Sequence, residues 1–238
     1  MKIEVWSDFV CPFCYVGKRR LEEALNKFQH NVEVEFKSFE LDPNAAIDVD
    51  MNVYELLSKK YGTSIEQAKN MTKGVMEHGT EVGIKFNFDH SIPTNTFNAH
   101  RLTKYAAAKG VDLALTESLL KAHFVDGRHI GDEKTLLSIA ESAGLDLQEV
   151  EEVLAGSRFS EEVRYDESEA RQLGVQGVPF FVINRKYAIS GAQPPEVFER
   201  TLEKVWEEEN GVPPLQSVEG KSDMLCDANG CAVQNNDK

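Results

Sequence analysis

Two stretches of strand-like alternation, one toward each end of the chain with only helical patterning between them, constrain this sequence more than any other feature. Lys2 to Trp6 alternates polar and apolar side chains as a half-buried strand does. After Cys11 the spacing turns helical. Gly17, Leu21, Ala24, Leu25 and Phe28 fall on one stripe, Lys18, Arg19, Glu22 and Glu23 face away, and His30-Asn31 ends the helix. Val32, Val34 and Phe36 then alternate with Glu33, Glu35 and Lys37 and stop before Asp42-Pro43. A βαβ unit follows, and its right-handed connection makes the two strands parallel.

From about Met51 to Leu154 no strand pattern interrupts the helical periodicity. Thr63-Ser-Ile-Glu66 reads as a capping box, Asn95 caps a helix running to Gly110, and Asp132 and Asp146 precede further apolar periodic runs. A helix from about Ser160 to Leu173, closed by Gly174, returns the chain to strands at Phe180 to Asn184 and Tyr187 to Ser190, joined by a tight Arg185-Lys186 connection. Pro194-Pro195 opens a last helix through Val197, Leu202, Val205 and Trp206. Without the helical stretch the order is βαβ then ββα, that of an α/β thioredoxin fold. Residues 1–46 and 160–210 are expected to form that domain, 47–159 an all-helical insertion, and 211–238 a flexible tail carrying a C-x4-C pair.

Length is compatible with this plan, since 238 residues suit one domain with a large insertion as well as two domains. Forty acidic against 26 basic residues give a net charge of -14, which repels phosphate backbones and anionic lipid and argues against nucleic-acid or membrane partners. No apolar stretch is long enough to span a bilayer, and Met1 to Val5 reads as strand, so a cytoplasmic location is expected. Four cysteines are too few for a disulfide scaffold; in a reducing compartment, paired cysteines point to catalysis or metal.

The first pair lies in Trp6-Ser-Asp-Phe-Val-Cys-Pro-Phe-Cys-Tyr-Val-Gly17, at the junction of strand and helix. Cys14 stands seven residues before Leu21 and so shares the buried stripe, whereas Cys11 comes at the helix start and is expected to be exposed. Pro12 suits the first helical position because its missing N–H would have had no partner there. A thiol at a helix N-terminus meets unpaired N–H groups and the positive dipole end, which favour the thiolate. The dipole contributes about 0.3–1 kcal/mol, under one pKa unit at about 1.36 kcal/mol per unit, so a larger shift requires hydrogen bonds from the amides of Phe13 and Cys14. Redox exchange is the reading favoured by this context, with no cofactor beyond the cysteine pair. A zinc site completed by Cys226 and Cys231, or inert packing, are the alternatives. Tyr15, where c-type haem attachment needs histidine, excludes that chemistry.

Gly174-Val-Gln-Gly-Val-Pro-Phe-Phe-Val-Ile-Asn184 puts Pro179 at the start of a strand, where proline is tolerated in either peptide isomer. Together, CPFC after the first strand, GVPFFVIN before the third and the helical stretch between them resemble the DsbA family of thioredoxin-fold oxidoreductases. WSDFVCPFCYVGKRRLE, FELDP, NAHRLTKYA and GRHIGDEKTLLSIAESAGLD are similar to its cytoplasmic FrnE-like branch, from Lys2 to about Trp206. The resemblance implies that Cys11 is the nucleophile, Cys14 the resolving cysteine and Pro179 a cis-proline beside them. It also implies that Val178 offers its backbone to an extended substrate lying over Pro12 and Phe13.

Phe13 stands where relatives commonly have tryptophan. The buried acid of thioredoxins has no obvious counterpart, Val5 lying near that place. Asp8 is the nearest candidate for proton handling, although turning the chain before the helix accounts for it more simply. His100, His123 and His129 lie in no metal or triad pattern and read as structural or solvent-facing. In the tail, Asn229-Gly230 between Cys226 and Cys231 is a tight-turn signal that can bring two sulfurs together. By resemblance this second pair is a redox relay to Cys11 and Cys14; a passive bridge is the plainer reading.

The expected function is thiol–disulfide exchange or disulfide isomerisation on protein or peptide disulfides, with glutathione or another thiol as co-substrate and an unidentified redox partner. One rival is a glutathione-dependent small-molecule isomerase or transferase of the same fold, of the 2-hydroxychromene-2-carboxylate isomerase or kappa type, whose members generally carry serine at the Cys11 position. A zinc or chaperone-like binding module is the other.

Overall fold

The computed structural model describes residues 1–211 and the backbone of two short strands, 224–227 and 230–233. Four strands form one sheet in the order β2-β1-β3-β4. β1 (Lys2–Ser7) and β2 (Glu33–Ser38) run parallel, joined by α1 (Pro12–Lys27). β3 (Phe180–Ile183) pairs antiparallel with β1 on its other side, and β4 (Tyr187–Ser190) closes the edge beyond β3. Between β2 and β3 run α2 (Val53–Tyr61), α3 (Ile65–Glu81), α4 (Phe97–Ala108), α5 (Asp112–Phe124), α6 (Glu133–Ser142), α7 (Leu147–Ala155) and α8 (Ser160–Gln172). α9 (Pro195–Asn210) follows β4. This is the thioredoxin order with a helical insertion.

β1 is more deeply placed than half-buried alternation implies. Ile3 and Val5 pack with Leu21 of α1 and with Phe198 and Leu202 of α9. On the opposite face Trp6 packs with Ala170 of α8, and its indole N–H donates to the Asp166 carbonyl at 2.9 Å. Glu4, on that same face, is buried and paired with Arg185. α8 covers the second face, so both sets of β1 side chains are interior.

Several local readings shift by a residue or two. α1 ends at Lys27, and the Phe28 N–H closes it onto Ala24 and Leu25 carbonyls before His30 is reached. The capping box of α3 is Ser64 with Gln67, because the Thr63 N–H is occupied in closing α2, bonding to the Ser58 carbonyl at 3.0 Å. Asn95 accepts from the Phe97 N–H at 2.8 Å, but Thr96 is the N-cap of α4, which ends at Ala108. The β3–β4 turn centres on Asn184 and Arg185, both at positive φ, with the Lys186 N–H returned to the Ile183 carbonyl. That is the mirror-image turn whose twist suits a hairpin.

Lys18 does not face solvent. It is 5% exposed, with its ammonium 2.5 Å from Glu22 and 2.7 Å from Glu117 of α5. Glu117 also accepts from the Tyr15 hydroxyl at 2.6 Å and pairs with Arg19. The insertion is thereby clamped to the helix that carries the cysteines. Two further strands, β5 (Met224–Asp227) and β6 (Gly230–Val233), pair antiparallel with Cys226 opposite Cys231, a hairpin in a region whose sequence shows little periodicity. The Asn229 turn and the side chains of Cys226 and Cys231 lie outside the described residues.

Candidate active site

α1 begins where β1 ends, so the sheet delivers Cys11 to the helix N-terminus. Cys11 is the N-cap in extended conformation, Pro12 takes the first helical position, and no acidic side chain occupies the first turn. The Cys11 N–H bonds to the Asp8 carbonyl at 3.2 Å and the Cys14 N–H to the Cys11 carbonyl at 3.0 Å, which fixes the loop around the sulfurs. Both residues carry free thiols.

Their environments differ. The Cys11 thiol donates to the Val178 carbonyl at 3.5 Å, while the Cys14 sulfur accepts from the Asp8 N–H at 3.4 Å. Hydrogen bonding by the Cys14 thiol, helped by the backbone N–H groups of Cys14 and Phe13, holds Cys11 below the usual cysteine range. Burial and the charge of Asp8 oppose that shift without cancelling it. Burial drives Cys14 well above the same range, reinforced by the hydrogen bond and charge of Cys11. Cys11 is nonetheless less open than its helix-start position implies, at 6% exposed against 1% for Cys14. The chain carrying the Val178 carbonyl lies against its sulfur and leaves a narrow approach.

The Val178–Pro179 bond is cis. Pro179 is buried, and the Gly191 N–H bonds to its carbonyl at 2.9 Å, tying the start of β3 to the end of β4. One turn of α1 beyond Cys14 lies Gly17, where an added Cβ would stand 3.0 Å from Pro179 Cγ, 3.1 Å from Phe181 Cζ and 3.5 Å from the Ala192 Cβ. Glycine there lets the proline-bearing segment close over the helix; a glycine inside a helical pattern is the sequence signal for such an approach. Arg20 fastens the same wall by donating to the Ala192 carbonyl at 2.6 Å. On the opposite side Phe13, 40% exposed, faces the His78 ring of α3 with centroids 6.2 Å apart. The insertion thus forms one flank of the opening.

Cys11, Pro12, Phe13, Cys14, Val178 and Pro179 therefore meet at one place, 167 residues separating Cys11 from Val178. Gly17, Arg20 and His78 are contributors that sequence reasoning missed. No group of three or more metal-ligating side chains occurs among the described residues. A groove of about 420 Å³ between α1 and α9 is lined by Lys27, Glu199 and Lys204 and lies away from the sulfurs. The geometry supports attack by a thiolate at Cys11 and shelter of a neutral thiol at Cys14.

Residues 2–203 match the DSBA-like thioredoxin domain. The chain belongs to that family. A probable DsbA oxidoreductase, SCO1869 of Streptomyces coelicolor, is 41% identical, with a TM-score of 0.84 over 99% of this chain and 100% of that one. YwbO of Bacillus subtilis (strain 168), an uncharacterized protein, is 29% identical over 84% of this chain and 94% of its own length. A 2-hydroxychromene-2-carboxylate isomerase at 15% identity shares the fold, with a TM-score of 0.65 over 88% of this chain and 98% of that one.

Proposed function

We propose that this DsbA-family protein is a thiol–disulfide oxidoreductase of the FrnE-like branch, acting on protein or peptide disulfides through Cys11 and Cys14. The unequal environments of the two thiols carry the reading. In the reducing direction the Cys11 thiolate attacks a substrate disulfide; a Cys11–substrate bond forms and one substrate sulfur leaves as thiolate. Cys14 then loses its proton and attacks Cys11, forming the Cys11–Cys14 disulfide and releasing the second substrate sulfur. Two electrons pass to the substrate, and a thiol such as glutathione, or another redox partner, restores the pair. Run backwards, the same steps oxidise a dithiol; if another thiolate of the substrate attacks the mixed disulfide before Cys14 does, a new substrate disulfide forms, Cys11 leaves as thiolate and the outcome is isomerisation.

In this reading the Val178 backbone and the Pro12 and Phe13 surface receive an extended substrate segment beside Pro179. Residues 1–46 and 160–210 act as the catalytic unit, 47–159 as an insertion flanking it and 211–238 as a tail. The resemblance to the FrnE-like branch supports a cytoplasmic location; among the described residues no helix is long and apolar enough to cross a membrane, and the acidic charge disfavours nucleic acid. The cross-strand register of Cys226 and Cys231 suits a bond between them, and by the resemblance to the FrnE-like branch that pair serves as a relay to the first, a passive bridge being the plainer alternative. The isomerase and transferase reading is disfavoured because cysteine, not serine, stands at position 11.

Trapping tests both assignments. Cys14→Ser protein, reduced and mixed with a disulfide-bonded protein substrate, is expected to accumulate a Cys11–substrate disulfide visible by mass spectrometry, while Cys11→Ser protein accumulates none. Equal trapping by both variants overturns the nucleophile assignment. Absence of any Cys11 linkage to Cys226 or Cys231 in the Cys14→Ser protein overturns the relay alone.

A further inference from the structure

Behind the sulfurs lies a buried acid–imidazole contact that the exchange steps above do not use. Asp8, 1% exposed, sits in the turn between β1 and α1 with its N–H on the Cys14 sulfur. Its Oδ2 accepts the Leu41 N–H at 2.7 Å. Its Oδ1 faces His100 Nε2 at 3.4 Å, and neither of these two atoms has a hydrogen-bond partner among the described residues. His100 comes from α4 of the insertion and is 3% exposed, its ring against Phe9 with centroids 4.8 Å apart.

A buried polar atom left unsatisfied costs about 1–3 kcal/mol, and more when it is charged. A proton on His100 Nε2 satisfies both atoms at once, as an N–H hydrogen bond donated to the Asp8 carboxylate. The neighbouring groups do not supply that donor. His123 of α5 lies within reach of the Asp8 field, but burial holds it down at about 4, so its ring is neutral at pH 7. Glu40, after β2, interacts electrostatically with His100 but is engaged by Arg164 and Asn95. Arg101 of α4 is spent on the carbonyls of Val153, Gly156 and Arg158. Cys11 and Cys14 themselves carry only negative charge when ionised.

Asp8 also works against the thiolate at Cys11. We propose that His100 is a positioning residue for the sulfur pair: by sharing a proton with Asp8 it offsets the carboxylate charge and so sets how readily Cys11 ionises. The insertion then takes part in the redox chemistry through one side chain. This inference rests on Cys11 being the attacking thiolate.

The test is a cycle of pH profiles for Cys11 alkylation by iodoacetamide in the reduced full-length protein, comparing wild type, His100→Gln, Asp8→Asn and the double variant. His100→Gln is expected to raise the midpoint by about one pH unit, the low end of the range for a nearby charge. Asp8→Asn is expected to lower it, and adding His100→Gln to Asp8→Asn to change nothing further, since no carboxylate remains to offset. An equal shift in both backgrounds, or no shift from His100→Gln alone, overturns the proposal. Preferential labelling of Cys14 over Cys11 in the wild type would instead overturn the nucleophile assignment. In unsubstituted protein the His100 Nε2–H, held against Asp8, is expected to give a slowly exchanging ring N–H resonance; an Nε2 without a proton overturns the proposal even if the variants fail to fold.

Discussion

One sulfur favoured as an anion beside one favoured as a thiol gives the redox couple a particular pH dependence. For a two-electron couple each proton taken up on reduction moves the potential by about 30 mV per pH unit. Below the Cys11 midpoint both thiols are protonated on reduction and the slope is about 59 mV per unit; above it only Cys14 takes a proton and the slope falls to about 30 mV. Because Cys11 is lowered and Cys14 raised, the break is expected below the free-cysteine value of about 8.5. Equilibration with glutathione buffers at stepped pH measures it, and a break at or above 8.5 would contradict the assignment. Gly17 offers a second check. Replacing a helical glycine by alanine ordinarily gains about 1 kcal/mol, but contacts of 3.0 and 3.1 Å with Pro179 and Phe181 bring overpacking of about 1–3 kcal/mol. Gly17→Ala is therefore expected to lower the melting temperature and to slow disulfide exchange several-fold by displacing Pro179. The cysteine pair is legible because its signal is local, whereas the role of Pro179 comes through the family resemblance, its own position leaving the peptide isomer open. Gly17 stands out within a helical pattern, but what it accommodates is known only once a segment more than 160 residues away lies over it, and the contact of Asp8 with His100 is invisible for the same reason.

α5 shows what element-level patterning conveys and what it leaves out. The helical periodicity read across 51–154 takes in this stretch, but it does not convey that Glu117 reaches Lys18, Arg19 and Tyr15 on α1, nor that His123 is enclosed with its Nδ1 unpaired among the described residues. Such partners depend on how α5 docks and not on its own sequence. The enclosed imidazole has a measurable effect. Its folded value of about 4 lies below the 6.5 of an unperturbed histidine, so between those pH values the unfolded chain binds a proton that the folded one refuses. Stability is therefore unaffected above about pH 6.5 and declines by up to about 1.4 kcal/mol per unit as pH falls toward 4. Urea unfolding of wild type and His123→Gln between pH 7 and pH 4.5 should show a steeper decline in the wild type; parallel declines would refute it. β1 teaches a similar lesson. Alternation correctly marks it as a strand, yet a helix over its second face turns Glu4 into an interior ion-paired residue.

Across the whole molecule the apolar interior divides into clusters that meet at the start of α1. Phe9, Tyr15 and Val16 belong to the cluster built mainly by the insertion, whereas Leu21 and Ala24 of the same helix belong to the one shared with α9 and the sheet. Element order was readable in the sequence, since periodicity of 2 and of 3.6 residues distinguishes strand from helix without tertiary information. The shared interior was not, because it depends on which helix the inserted residues rest against. A graft joining β2 directly to α8 would expose Phe9, Tyr15 and Val16 beside the cysteines.

Cys14 is anchored by the loop that leaves β1, a strand bonded on both sides and enclosed on both faces. Reagents cannot reach such a sulfur by fraying at an edge; they must wait for the central strand to come apart. In reduced protein, the slow phase of thiol labelling should thus act as a gauge of global opening, its rate rising with denaturant as steeply as the unfolding equilibrium does.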